Sequence, residues 1–196
     1  PPARPPLKVR FDYFRNAARA PRGVAEVPGD GPTWIWGAAT VPDARGREHL
    51  VASAVKVRGN MEAYRWDLVE WDAAAAKFAP LLTFWRKSAA EPQPTKVPDG
   101  HALKWTDAAG QAWLLFGNPF PTMRCPATYE AWKDPSTWEP LAPDRRVLTA
   151  EGKPVEAHGG DLAWHPWSRR WLLLFTQKGG DSSYLGEIWL ASAPSP

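Results

Sequence analysis

Two stretches of this chain repeat each other at a fixed distance, and that repeat limits the fold more than any other feature. LKWTDAAGQAWLLFGN at residues 103–118 resembles LAWHPWSRRWLLLFTQ at residues 162–177. Each has Leu-x-Trp, a polar turn, then Trp with Leu-Leu-Phe nearby. Leu103 and Leu162 stand 59 residues apart, as do Phe116 and Phe175. A second pair has almost the same period: Phe78, Pro80 and Leu81 lie 60 residues before Trp138, Pro140 and Leu141. Two unrelated matches with one period point to repeated structural units of about sixty residues.

Each unit reads as four short strands. In the last, residues 161–165 form a first strand, 166–169 a turn, 170–177 a second strand, 178–184 a loop and 185–192 a third strand. The second strand is apolar at successive positions, as expected of a sheet covered on both faces. The alanine run in WDAAAAKF (residues 71–78) has helix propensity. Its counterpart WKDPSTW (residues 132–138) holds a turn-forming Asp-Pro-Ser, so a turn between third and fourth strands is expected at both places.

Four-stranded units covered on both faces are the blades of a β-propeller, and the fold class expected is all-β. Blade one spans residues 33–85 with a linker to 99. Blade two spans 100–143, followed by a polar connection over 144–156. Blade three occupies 157–196 and lacks a fourth strand. Residues 1–32 form an N-terminal segment in which LKVRFDYF (residues 7–14) alternates and is expected to be a strand of a preceding blade. All belong to one domain. Three blades do not close a ring, so the chain is expected to be part of a larger propeller; a β-sandwich of similar strand count is the structural alternative. The chain begins Pro-Pro, which fits a fragment or a processed chain.

Composition narrows the function. The 196 residues carry a net charge of +3 with 24 basic side chains. The basic residues form no continuous stripe, which argues against a nucleic-acid partner. No apolar run reaches membrane-spanning length. The single cysteine, Cys125, excludes an internal disulfide and any zinc motif built on several cysteines. Thirteen Trp are a high count; they suit packing between sheets and stacking on sugar faces. Phosphate-loop, dinucleotide-binding and nucleophile-elbow motifs are all missing.

Propeller geometry gathers polar residues at the end of the blades where first strands begin and second strands return. Blade three brings His158, Gly159, Gly160, Asp161, Gln177 and Glu187 there. Blade two brings His101, Asn118 and Arg124. Blade one brings Trp34, Trp36, Arg58, Tyr64 and Asp67. Paired carboxylates perform the acid–base work of glycoside cleavage, so Asp161 and Glu187 are the catalytic candidates. His101, Arg124, His158, Gly159, Gln177, Trp36 and Asn118 are the candidate saccharide-binding residues. The alternative for Asp161 is a bond to neighbouring backbone, and for Glu187 a solvated or paired place at a blade edge. The glycines after His158 let the backbone turn sharply and leave the ring accessible; an ordinary hydrogen-bonded histidine is the competing reading. A metal on His101 and His158 would need a third ligand that no spacing supplies, so no metal or cofactor is expected.

The segment GGDLAWHPWSRRWLLLFTQKGGDSSYLGEIWLASAPSP resembles blades of the five-bladed propeller glycosidases, the arabinanase, levansucrase and invertase superfamily. Their blades read as a strand, a turn, W/Y-x-L-x-F, a loop, then G-x-I-x-x-A-x-S-x-S-P. Gly186, Ile188, Ala191, Ser192 and Pro194 match the last element. Similarity is greatest to bacterial members that pair HGG with SSYLGE, and it covers most of residues 33–196. The resemblance implies a carbohydrate-active propeller, glycoside hydrolase-like, with a saccharide at the mouth of its central channel and an extracellular or periplasmic location. That family places acidic residues at the starts of inner strands. Here only Asp161 is clearly acidic among Trp34-Ile35-Trp36-Gly37, Gly100-His101 and His158-Gly159-Gly160-Asp161. A noncatalytic propeller module that binds a glycan or protein is therefore the alternative.

Overall fold

A computed structural model of the chain describes residues 11–141 and 146–196. Three consecutive antiparallel sheets make up nearly all of it. Sheet one runs β1 (Thr33–Pro42), β2 (Glu48–Arg58), β3 (Glu62–Asp72) and β4 (Lys77–Arg86), in that spatial order. Sheet two runs β5 (His101–Thr106), β6 (Ala112–Gly117), β7 (Met123–Pro126) and β8 (Glu139–Pro140), with a short helix α1 (Tyr129–Lys133) before β8. A small hairpin of β9 (Val147–Leu148) and β10 (Pro154–Val155) follows. Sheet three holds β11 (Ala157–His165), β12 (Arg170–Gln177) and β13 (Ile188–Ala193). Each sheet is an up-and-down meander packed face to face on the next, the arrangement of propeller blades. Among the described residues the row is open.

The connections follow from local chemistry. Asp43 accepts hydrogen bonds from the backbone N–H of Arg45 and Arg47, both at 2.9 Å, and Asp107 does the same for Ala109 and Gln111. Thr149 plays that part for Glu151 and Lys153 between β9 and β10. In each loop a glycine follows three residues on, with φ of 79°, 82° and 81° at Gly46, Gly110 and Gly152. A side-chain acceptor and a left-handed glycine thus close the same five-residue hairpin three times. The signal is visible as Asp-Ala-x-Gly and Thr-Ala-x-Gly.

Three expectations are corrected. The alanine run does turn at residues 73–76, but the matching stretch of sheet two folds as α1 and a 3-10 turn at Pro135–Thr137. Thr128 caps α1 by accepting from the Ala131 N–H, and Asp134 caps the 3-10 turn through Ser136, so the Asp-Pro-Ser starts a new turn after a helix. The connection expected to be polar holds the β9–β10 hairpin, whose Val147 and Val155 enter the core of sheet three. Of the strand expected over residues 7–14, residues 7–10 lie outside the described residues and 11–14 are not in a strand. Residues 142 and 143, placed at the end of blade two, also lie outside them.

Packing between sheets is apolar. Val41, Val51 and Leu68 of sheet one meet Leu114, Phe116, Met123 and Cys125 of sheet two. Phe116, Trp132 and Trp138 close that core edge to face and stacked, with centroids 5.2–5.7 Å apart. Burial drives the Cys125 thiol up to about 12, so it is a small apolar filler there. Leu103, Trp105 and Phe120 of sheet two pack on Leu162, Trp171, Leu173 and Phe175 of sheet three. The other face of sheet one is covered by the N-terminal segment, where Ala25 and Val27 sit on Ala52, Ala54, Val69 and Phe78. That segment is pinned by buried cations. Arg65 donates to both oxygens of fully buried Asp67 at 2.6 and 2.7 Å and to the Pro28 carbonyl at 3.0 Å; Lys56 donates to the Gly31 carbonyl at 2.5 Å.

Candidate functional site

The start of each inner strand lies beside its neighbour. Gly37, with φ of 52°, breaks the register of β1, and a Cβ placed there would stand 3.1 Å from the Gly100 carbonyl oxygen. Gly100, with φ of 69°, is packed so closely on Gly117 that a Cβ would lie 2.1 Å from the Gly117 carbonyl oxygen. Only glycine fits such an approach. Gly160 is similarly constrained, since a Cβ there would fall 2.5 Å from the Leu174 carbonyl oxygen. The Gly37 contact sets the start of β5 against β1, while the Gly100 and Gly160 contacts fix close pairing within sheets two and three.

There the polar residues of sheets two and three meet. His101 Nδ1 lies 3.2 Å from Asp161 Oδ1. Asn118 Nδ2 donates to the His158 carbonyl at 3.3 Å, and its amide faces Gly159. Gly159 pairs with Thr176, and Ala157 with Gln177. His101, Asn118, His158, Gly159, Asp161 and Gln177 thus form one group. The second ring nitrogen of His101 is Nε2. That Nε2 is buried without a partner, and so are Gln177 Oε1 and Trp36 Nε1. Buried polar atoms usually find partners; the indole N–H groups of Trp132 and Trp138, in the core between sheets one and two, lack one as well.

Two candidates have side-chain partners outside that group. Arg124 donates from Nε to Glu139 at 2.6 Å and lies 3.9 Å over the Trp113 ring. Because Trp113 sits at the hairpin end of β6, Arg124 is drawn away from the strand starts. Glu187 accepts from the Ser182 N–H at 3.0 Å and its hydroxyl at 3.2 Å, and the Ser182 backbone bond holds its carboxyl below the usual range. Glu187 braces its own loop. From blade one, Asp67 is fully buried with Arg65 on the face under the N-terminal segment.

One acid escaped the sequence reading. Asp99 precedes Gly100 and His101, and burial pushes its carboxyl above the usual range, against the pull of a hydrogen bond from its own backbone. The loop that carries it is fixed at both sides: Ser53 donates to the Pro98 carbonyl at 2.6 Å, and Lys96 reaches the Pro135 and Trp138 carbonyls, both at 2.7 Å. Asp99 lies two residues before β5. Its signal was present in Pro98-Asp99-Gly100, which reads locally as a turn.

A second polar cluster occupies the opposite end of sheet one. His49, buried, has Nδ1 2.6 Å from Glu70 and Nε2 3.3 Å from Asp43, and stacks on Tyr129 at 3.8 Å. Tyr129 donates to Glu70 at 2.6 Å. Burial, reinforced by that bond, drives the Tyr129 hydroxyl up to about 12. Burial alone would raise Glu70, but bonds from Tyr129 and His49 outweigh it and leave the carboxyl below its ordinary value. The cluster ties sheet one to α1. Among the described residues no three His, Cys, Asp or Glu side chains group as a metal site, and no helix is long and apolar enough to cross a membrane.

Among solved structures, the chain is similar to an endo-1,5-alpha-L-arabinanase from Thermotoga petrophila RKU-1 in complex with TRIS, at 16% identity and TM-score 0.42. A second structure of an endo-1,5-alpha-L-arabinanase from the same organism gives 17% identity and TM-score 0.42. Each match covers 83% of this chain, but the chain spans only 38% and 39% of the two structures. No family model matches the chain, and neither does any curated protein. The residues themselves carry the functional reading.

Proposed function

We propose that the end of the inner strands binds a saccharide and that the protein is a glycoside hydrolase of propeller architecture. One observation carries the reading. Asp99, held toward its protonated form by burial, stands two residues from His101, and the His101 ring contacts the exposed carboxylate of Asp161. One desolvated carboxyl and one in solvent suit the division of labour that separates general acid from base or stabiliser. Asp99 is the acid that protonates the leaving oxygen. Asp161 is the carboxylate that faces water or the sugar, oriented by His101. Trp36, Asn118, His158, Gly159 and Gln177 supply the binding surface, and the unpartnered atoms of His101, Trp36 and Gln177 take hydroxyls of the ligand. Glu187 keeps the adjoining loop in place.

Hydrolysis of a glycan panel, followed as reducing ends released, tests this. Asp99→Asn and Asp161→Asn should each lower turnover by about 10²–10⁴-fold, while Glu187→Gln should change it little. Turnover unaffected by both aspartate changes removes the assignment. Saccharide affinity with no turnover in the unaltered protein would favour a noncatalytic module, and a flat calorimetric titration across the panel would remove the saccharide site itself.

A further inference from the structure

His49 has both ring nitrogens engaged, and the two sides of the ring face different chemistry. Nδ1 lies 2.6 Å from Glu70 Oε1, and Tyr129 donates to the other oxygen of that carboxyl at 2.6 Å. Against the opposing effect of burial, these bonds keep the Glu70 carboxyl below its ordinary value, so near neutral pH it is an acceptor. Nδ1 therefore carries a hydrogen. Nε2 faces groups of opposite kinds. Asp43 Oδ2 lies 3.3 Å away, while Arg47 presents Nη2 at 3.2 Å and Nε at 3.3 Å. A guanidinium has only donors and an ionised carboxylate only acceptors. Nε2 can bond Arg47 only without a proton, and Asp43 only with one.

The partners differ in their freedom to move. The His49 side chain is 4% exposed and stacks on Tyr129, so the ring stays in place. Asp43 is held as well, because its Oδ1 accepts from the Arg45 and Arg47 N–H groups and the Arg47 backbone bond chiefly keeps its carboxyl below the usual range. The Arg47 side chain is 74% exposed, with Nε 3.7 Å from Asp43 Oδ2. A proton on Nε2 would set two cations against each other, and the exposed arginine is the group free to leave. Arg47 also lines a cleft of about 270 Å³ together with Asp43, Ala44, Arg45 and Glu130. Glu130 accepts from the Ala44 N–H at 3.3 Å, which joins the β1–β2 hairpin to α1 across that cleft. Other charges on the packed elements face other partners: Lys133 of α1 lies 4.2 Å over the Tyr129 ring, and Glu48 of β2 is 3.9 Å from Lys104 of β5.

We propose that His49 is a proton-operated switch that exchanges Arg47 for Asp43 at Nε2, and so decides whether the Arg47 guanidinium is held at the cleft or released to water. Unprotonated Nε2 accepts from Arg47 and holds the guanidinium inward. Protonated Nε2 donates to Asp43 while the bonds among Nδ1, Glu70 and Tyr129 stay as they are. One proton is taken up on the ring, and no covalent bond between heavy atoms changes. Every part of the device comes from the β1–β2 hairpin, β2, β3 and α1, so it is independent of sheet three and of the saccharide reading.

The test is nitrogen-15 magnetic resonance of the 196-residue chain, following the His49 ring nitrogens and the Arg47 side-chain N–H from about pH 8 to 5, the interval in which histidine changes charge. Nε2 should gain its proton in one step while Nδ1 stays protonated, and the Arg47 signal should shift with the same midpoint. Arg47→Gln, which removes the competing cation, should raise that midpoint by about one unit, and Asp43→Asn, which removes the anion, should lower it by about as much. Arg47→Gln alters an exposed side chain, so that arm decides even where Asp43→Asn disturbs the hairpin. A ring that merely ties sheet one to α1 predicts none of these shifts. Titration at Nδ1 in place of Nε2, no titration of His49 in the interval, an Arg47 signal indifferent to it, or a midpoint unmoved by Arg47→Gln each overturns the proposal.

Discussion

Sheets two and three carry the same repeat and are packed differently. In β6, Leu114, Leu115 and Phe116 are all buried, because sheet one covers one face and sheet three the other. In β12, Trp171, Leu173 and Phe175 are buried, but Leu174 between them is 54% exposed, as are Ile188 at 71% and Leu190 at 66% on the neighbouring strand. One apolar sequence pattern therefore has two fates, decided by whether a neighbour lies on the second face. An apolar run shows that a strand is built for burial on both sides, and only contact shows whether it is so buried.

The comparison can be broken by substitution. Trp138→Ala, in the core between sheets one and two, should lower stability by about 3–5 kcal/mol in denaturant unfolding. Leu190→Ala, on the bare face, should change it by less than about 0.5 kcal/mol. Equal effects would mean that sheet three is as enclosed as sheet two. His49→Ala should cost about 1–3 kcal/mol by stranding Glu70 and Tyr129 in the link between sheet one and α1, and the unfolding midpoint would register it.

Acid sharpens the contrast further. The Asp43 carboxyl is held down chiefly by the Arg47 backbone bond, and Glu70 is held down by Tyr129 and His49 once the opposing effect of burial is overcome. Groups with lowered folded values add stability above their unfolded titration, and it is lost as pH falls through the folded values. Stability should therefore decline below about pH 4. In His49→Ala that decline should be shallower, and an unchanged slope would remove the cluster from the account. The smallest effect concerns local opening. In native-state hydrogen exchange, amides of β6 should exchange only through global unfolding, whereas the Ile188 and Leu190 amides of β13 should exchange by local fluctuation.

Much of the fold could be read from periodicity. Phe116 and Phe175 are both buried as the period required, and the hydrophobic matches at Phe78 and Trp138 mark equivalent places in their sheets. Trp164 is 45% exposed, and the hairpin after β11 is one residue shorter than the one after β5, which shifts the pairing. His165 pairs with Arg170, whereas Thr106 pairs with Ala112. For the candidate site, the meeting of His101 with Asp161 and of Asn118 with His158 followed from equivalent places in the repeat. Arg124 did not follow, since the nearby Glu139 and Trp113 compete for its guanidinium.

The sequence by itself determined the period, the four-strand unit and the hairpins closed by Asp or Thr with glycine, because these depend on local dihedral preference and on alternation along one strand. Only tertiary structure decided that Asp99 is a raised acid rather than a turn residue. The difference arises from desolvation, and the loop that holds Asp99 is fixed through Ser53 of sheet one and the segment before β8 of sheet two. Tertiary structure also decided that Leu114, Leu115 and Phe116 are all buried while Leu174 of the matching strand is exposed, since a strand's own residues show what it can pack against and not whether a neighbour lies beside it.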